Sequence, residues 1–247
     1  KSAGRVQSVA LRLIVERERE IEAFRAEEYW SVLAKLQHDG TEFDARLVKF
    51  KGVKLERLSL GNQGIALEAK AAVEAGRFTV EGVETKPVKR NPAPPFTTST
   101  LQQEAARKLG YSAQHTMRLA QSLYEAGAIT YMRTDGVQMG PGAIMALRDA
   151  IAARYDSAYL PEKPRFYSTK AKNAQEAHEA IRPTEMSRHP NEVRRVLDED
   201  QFALYDLIWK RTIASQMESA ELERTTADIG TDGKDGKHYT FRANGSV

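Results

Sequence analysis

Tyr131 and Arg133 stand two residues apart in Ile129-Thr130-Tyr131-Met132-Arg133-Thr134-Asp135-Gly136, just after a helical pattern that ends at Gly127. In an extended stretch residues i and i+2 project to the same side, so this phenol and guanidinium address one target. A phosphodiester suits the pair: the phenolic oxygen supplies the attacking atom and the guanidinium binds the phosphate anion. The same spacing also fits a half-buried tyrosine beside a solvated arginine, and the octapeptide alone leaves both readings open.

Further candidates lie elsewhere. His178 sits between Glu176 and Glu179; by itself such a histidine reads as a surface residue, and no second His at ligand spacing supports a metal site, exposed Glu on a helix being commonplace. Gln121 and Glu125 lie one helical turn apart and share a face, either lining a groove or forming a routine surface pair. Arg5 and Gln7 follow Gly4, which permits close backbone approach. Arg12, Arg17 and Arg19 read as solvated helix residues. Asp135 either pairs with Arg133 or caps the turn. Asp198-Glu199-Asp200 fits a helix N-terminus, where acids favour the dipole.

The elements that position these residues change character along the chain. A helix is expected over residues 6–24, with Val9, Leu13, Val15, Ile21 and Phe24 as an imperfect apolar stripe. Alternation predicts strands over 30–36 and 43–50, joined at His38-Asp39-Gly40, then a short helix over 66–75 and a strand over 78–88. Asn91-Pro92-Ala93-Pro94-Pro95 is a boundary, because three prolines in four residues continue neither a helix nor a central strand. Helices follow. Ser99 or Thr100 is the expected cap of the first, with Gln102 or Gln103 as partner, and Gly110 its end. Ser112 caps the next, which carries Met117, Ala120, Leu123 and Tyr124 up to Gly127. Pro141 opens a third, and Asp198 caps a fourth bearing Phe202, Tyr205, Ile208 and Trp209. Strands return over 220–229 and 239–243 around a hairpin tip at 232–236.

The fold class expected is therefore α+β and multidomain: a helical domain over 91–217 inserted into a β domain over 28–90 and 218–247, with residues 1–27 as the end of a further helical arch domain. The proline run and the Met217 region would be the two hinges, since insertions enter at exposed loops.

The 247 residues bury a sizeable core, and 41% hydrophobic residues mark a globular chain. The absence of Cys excludes disulfides, thiolate metal sites and thiol catalysis. No apolar run reaches the roughly 20 residues that span a bilayer, and no secretory signal is present. A net charge of +3 favours nucleic acid only weakly. The chain, which lacks an initiator Met, is expected to be a piece of a longer protein.

Four ordered segments carry a resemblance: Ser2-Ala3-Gly4-Arg5-Val6-Gln7-Ser8, Pro94-Pro95-Phe96-Thr97-Thr98-Ser99-Thr100-Leu101-Gln102, the Tyr131 segment, and Ala177-His178-Glu179-Ala180-Ile181-Arg182-Pro183. In order and spacing they resemble the bacterial type IA DNA topoisomerases, of the topoisomerase I class, over essentially the whole chain. The resemblance implies that Tyr131 attacks one DNA strand, forming a 5′-phosphotyrosine and freeing a 3′ hydroxyl. A free phenol has a pKa of about 10 and needs help to attack; the resulting ester keeps the phosphodiester energy, so no ATP is needed. Arg133 is then the phosphate clamp, His178 a hydrogen-bond donor near the scissile phosphate, and Arg5, Gln7, Gln121, Glu125, Thr130 and Asp135 DNA-facing residues. No metal ligand is expected in this chain: the resemblance places Mg²⁺ on an acidic domain preceding Lys1, leaving this portion alone unable to relax DNA. The expected partner is DNA, mainly single-stranded, with no membrane and no small-molecule substrate, in the bacterial cytoplasm at the nucleoid. Two alternatives stay open: the topoisomerase III or reverse-gyrase branch, and a non-catalytic DNA-binding helical module whose helix pair before Tyr131 is similar to a helix-turn-helix.

Overall fold

The computed structural model describes residues 4–74, 76–168 and 179–247. Its chain forms two compact units, one of residues 1–88 with 223–247 and one of residues 89–222. The class is α+β, with seven α-helices and six strands among the described residues.

In the first unit, α1 (Arg5–Ala23) begins after Gly4 without a side-chain cap. Its apolar stripe stays exposed, Val9, Leu13 and Ile21 included. Strands β1 (Leu33–His38) and β2 (Thr41–Phe50) form a hairpin turned by Asp39 and Gly40, both with positive φ, as a two-residue turn between right-twisted strands requires. β1 starts later than its alternation predicts: Trp30 lies outside it, its N–H held by the Leu60 carbonyl at 2.9 Å. The short β3 (Val53–Lys54) pairs with β2. Helix α2 (Gln63–Val73) starts three residues before the predicted 66 because the Asn62 side chain accepts the Ile65 N–H.

Strand β4 (Thr79–Arg90) leads out of this unit, and β5 (Ala220–Asp232) with β6 (His238–Ser246) completes a sheet of order β1-β2-β6-β5-β4. The β1–β2, β2–β3, β2–β6 and β5–β6 pairs are antiparallel. One face of the sheet buries Leu47, Ile229, Tyr239 and Phe241 against Ala69 and Val73 of α2. Phe78 meets Phe241 and Phe50 meets Tyr239 edge to face.

The second unit is helical. α3 (Thr98–Leu109) ends at Gly110 in the left-handed region, where a side chain would cost steric strain. Its cap is Thr97 rather than Ser99 or Thr100: Thr97 Oγ1 accepts the Thr100 N–H and Thr100 Oγ1 accepts the Thr97 N–H. A threonine closes the box that a glutamine was expected to close. α4 (Ala113–Glu125) is capped by Ser112, and α5 (Pro141–Arg154) has Pro141 in its first turn. A 3₁₀ turn (Ser157–Tyr159) and α6 (Pro190–Val193) follow, neither signalled by periodicity. α7 (Glu199–Ser215) is capped by Asp198 with Gln201 reciprocating.

The core of this unit gathers Leu101, Leu123, Ile129, Leu147, Ile151, Leu204, Tyr205 and Ile208. Burial of such side chains stabilises by about 1.5–3 kcal/mol each. Where the chain joins this unit, a short segment ties its two ends. Tyr167 Oη donates toward the carbonyls of Ser215 (2.8 Å) and Pro92 (3.2 Å). Arg165 donates from Nε to the Met217 carbonyl at 2.8 Å and from its terminal nitrogen to Glu218 and Ser219. Ser219 Oγ in turn reaches Asn91 Oδ1 at 2.8 Å.

Candidate active site

Helix α4 aims the site. It stops at Ala126, and Gly127 takes a positive φ, so the chain turns out of the helix just before Ile129. Ile129 is buried and bridges Pro183, while Phe96 bridges Ile181. These two bridges bring three of the sequence segments together: 94–102, 129–136 and 179–183.

After the Ile129 bridge, burial alternates only from Tyr131 to Asp135. Ile129, Met132 and Thr134 are buried; Tyr131, Arg133 and Asp135 are exposed, Tyr131 by 38%. The segment is irregular, bending at Met132 and Arg133, rather than a strand, and both Tyr131 and Arg133 are exposed on it. Thr130 fixes the near side: its N–H donates to the Arg182 carbonyl (2.8 Å), its hydroxyl donates to the Ala180 carbonyl (2.7 Å), and it accepts the Arg182 N–H (3.0 Å). Thr98 fixes the far side through Met132 and Thr134. With both neighbours locked, the phenol and guanidinium project from a rigid loop, as a pre-organised site requires.

The phenol's aromatic neighbour is Tyr124, whose ring meets that of Tyr131 edge to face with centroids 5.4 Å apart. Tyr124 is 42% exposed and stands at the site. Gln121 and Glu125 are joined to each other, Nε2 to Oε1 at 2.7 Å, on the exposed side of the same helix. That pairing holds the two side chains to each other on the helix that carries Tyr124.

Glu179 is not an exposed helical glutamate. It lies in irregular chain and accepts the Gly140 N–H on Oε1 (3.0 Å) and the Arg182 guanidinium on Oε2 (3.0 and 2.7 Å). The Arg182 side chain is only 14% exposed, and its remaining nitrogen donates to the Pro183 carbonyl. A Cβ at Gly140 would lie 2.9 Å from Glu179 Oε1, so a side chain there would push the carboxylate off the Gly140 N–H. The brace ties the start of α5 to the segment that holds Thr130.

Two supports come from farther off. Arg211 of α7 stacks over Phe96 at 4.8 Å and donates to the Pro94 carbonyl at 2.7 Å; burial pushes its guanidinium below the ordinary value. Asp200 accepts from Tyr111 Oη and meets His115 Nε2, each at 2.9 Å, joining the start of α7 to the start of α4. The Tyr111 bond, then the His115 bond, hold the Asp200 carboxyl below its usual range. The Tyr111 phenol is pushed up to about 12, by burial first and by Asp200 second. Asp198-Glu199-Asp200 is thus a cap and a brace. Among the described residues no group of three or more His, Cys, Asp or Glu is placed to hold a metal ion.

Of the remaining candidates, Gln7 lies on the exposed first turn of α1 in the β unit. The Arg5 backbone belongs to the same turn; its side chain is outside the described residues, as is His178 with its neighbours Gln175, Glu176 and Ala177. Sequence reasoning missed Thr98, Tyr124 and the Glu179–Arg182 brace. The doubled threonine at 97–98, one a cap and the next free for another task, was the available signal for the first.

Comparison with known proteins agrees over the whole length. A family model described as DNA topoisomerase matches residues 1–247. DNA topoisomerase 1 of Zymomonas mobilis is 64% identical over 233 residues, covering 94% of this chain and 19% of that protein. DNA topoisomerase 1 of Rickettsia felis is 49% identical, covering 100% of this chain and 33% of that protein. The full-length topoisomerase I of Thermotoga maritima superposes with a TM-score of 0.74 at 35% identity, over 100% of this chain and 38% of that one. The chain therefore spans between a fifth and a third of the length of those curated relatives. Matched from residue 1 to residue 247, the chain belongs to the bacterial DNA topoisomerase I family.

Proposed function

We propose that this chain is the nucleophile-bearing portion of a DNA topoisomerase I that cleaves and religates one strand, relaxing negatively supercoiled DNA without ATP. Tyr131 Oη attacks the phosphorus; the P–O3′ bond breaks; the phenolic proton leaves and the 3′ oxygen gains one, giving a 5′-phosphotyrosine and a 3′ hydroxyl. Arg133 stabilises charge on the non-bridging oxygens as the pentacoordinate state forms. His178 donates a hydrogen bond near the same phosphate. Arg5 and Gln7 hold the incoming single strand, and Gln121, Glu125, Thr130 and Asp135 line its path. The observation that carries this reading is the common outward projection of Tyr131 and Arg133 from a loop whose intervening Met132 is 2% exposed.

Residues 91–217 act as the moving helical domain, 28–90 with 218–247 as the β domain, and 1–27 as the end of a helical arch. Lifting of the helical domain at its β hinges opens the gate for the passing strand. Mg²⁺ and its carboxylates are assigned to a part of the parent outside this chain, so the chain alone does not relax plasmid. The protein works in the bacterial cytoplasm at the nucleoid. The relatives' names, all DNA topoisomerase 1 among those given above, favour this branch over topoisomerase III or reverse gyrase.

The test uses the full-length parent and end-labelled single-stranded DNA. The wild type gives a denaturation-resistant adduct; Tyr131→Phe gives none, while its DNA binding persists and weakens with salt. An adduct from Tyr131→Phe refutes the assignment.

A further inference from the structure

We infer that Thr98 is a positioning residue for Arg133, aiming the guanidinium by gripping the backbone on both sides of it; this rests on the roles proposed above for Tyr131 and Arg133. Thr98 is the first residue of α3, directly after the Thr97 cap. Its hydroxyl donates to the Met132 carbonyl at 2.7 Å and accepts the Thr134 N–H at 2.9 Å. Its own N–H donates to the Thr134 carbonyl at 2.9 Å. One hydroxyl proton and two lone pairs permit this arrangement.

The residue bracketed by these bonds is Arg133. Met132 and Thr134 point inward, 2% and 7% exposed. The capping of α3 does not use the Thr98 hydroxyl, because Thr97 and Thr100 satisfy each other. Thr134 Oγ1 is likewise engaged, accepting the Gly136 N–H at 3.0 Å. The hydroxyl of Thr98 is therefore committed to the loop alone.

An arginine side chain has many rotamers, and its direction is set by where its backbone is held. Removing the hydroxyl leaves the part-buried Met132 carbonyl and Thr134 N–H without their partner, so the loop shifts to satisfy them. A displacement of about 1 Å at a group that contacts the reacting phosphate costs on the order of 100-fold in rate.

The experiment measures single-turnover adduct formation and DNA affinity in the full-length parent. Thr98→Val keeps the shape and removes the hydroxyl; the adduct rate is expected to fall about 10- to 100-fold, with affinity changed less than about twofold. Thr98→Ser restores the rate to within about threefold, since it keeps the hydroxyl. Thr97→Ala weakens the α3 cap without touching the loop and leaves the rate unchanged. In an Arg133→Ala background Thr98→Val adds less than about twofold, because nothing remains to be aimed.

An unchanged rate in Thr98→Val overturns the inference, as does a penalty that persists undiminished in the Arg133→Ala background. Thr98→Cys, a weak donor of similar size, carries the same expectation where Thr98→Val folds poorly. Failure of the underlying reading is separately visible: there, Tyr131→Phe still forms the adduct.

Discussion

Replacing Glu179 with alanine tests whether the brace behind the Tyr131 loop holds the helical unit together. The carboxylate takes three hydrogen bonds, one from the Gly140 N–H and two from Arg182. Charge-assisted bonds contribute about 1.5–3 kcal/mol net. The Glu179 side chain is 40% exposed, so its pairing with Arg182 is screened and falls at the low end. The Arg182 side chain is only 14% exposed, so water compensates the abandoned guanidinium incompletely. Orphaning the part-buried Gly140 N–H adds about 1 kcal/mol.

The sum is about 2–3 kcal/mol, or a fall of about 8–12 °C in the midpoint of the transition of residues 89–222. Glu179→Gln keeps the acceptor for Gly140 and loses the charge, so it falls about half as far. Thermal unfolding by circular dichroism, with fluorescence of Trp209 in the helical core as a second probe, reads both variants. A fall below about 2 °C for Glu179→Ala means the brace is dispensable, and the account of how the 179–183 segment is held would be refuted.

Leu123 is fully buried where α4 meets the unit's core; Leu123→Ala is expected to cost about 2–5 kcal/mol in urea unfolding, and a loss below about 1 kcal/mol contradicts that packing. Asp200 is held charged in the folded chain below its usual range, so unfolding takes up a proton as pH falls and its contribution, present above pH about 4, disappears below it. Midpoints of wild type and Asp200→Asn should differ at pH 6 and draw together as pH falls below the ordinary carboxylate range; a constant gap contradicts the coupling.

The fold was legible where local chemistry is unambiguous. Ser112, Asp198 and Pro141 start helices, Gly110 and Gly127 end them, and His38-Asp39-Gly40 turns a hairpin, as their side chains or positive φ dictate. It was less legible where a partner distant in sequence decides. Trp30 is drawn out of alternation by the Leu60 carbonyl. Thr97 outcompetes Ser99 as a cap because Thr100 can answer it. The exposure of Tyr131 and Arg133 on either side of the buried Met132 follows a period of two, which the sequence conveys. The grips that make the loop rigid come from Thr98 and Arg182, 36 and 52 residues away from the groups they bond, and no periodicity encodes such contacts. Tyr124 was missed because helical spacing shows which residues share a face but not whether that face is covered.

Tyr167 and Arg165 have a consequence for assembly. Because they bind Pro92 on one side and Ser215 and Met217 on the other, residues 89–222 close their own circuit. Loop-closure entropy grows with the logarithm of the loop, and here it is discharged within the excursion itself. Once that stretch has folded, β4 and β5 leave it as neighbouring strands, ready to pair as though joined by an ordinary tight turn. A topology of high contact order is thereby reduced to a local one, which favours fast, stepwise maturation during synthesis.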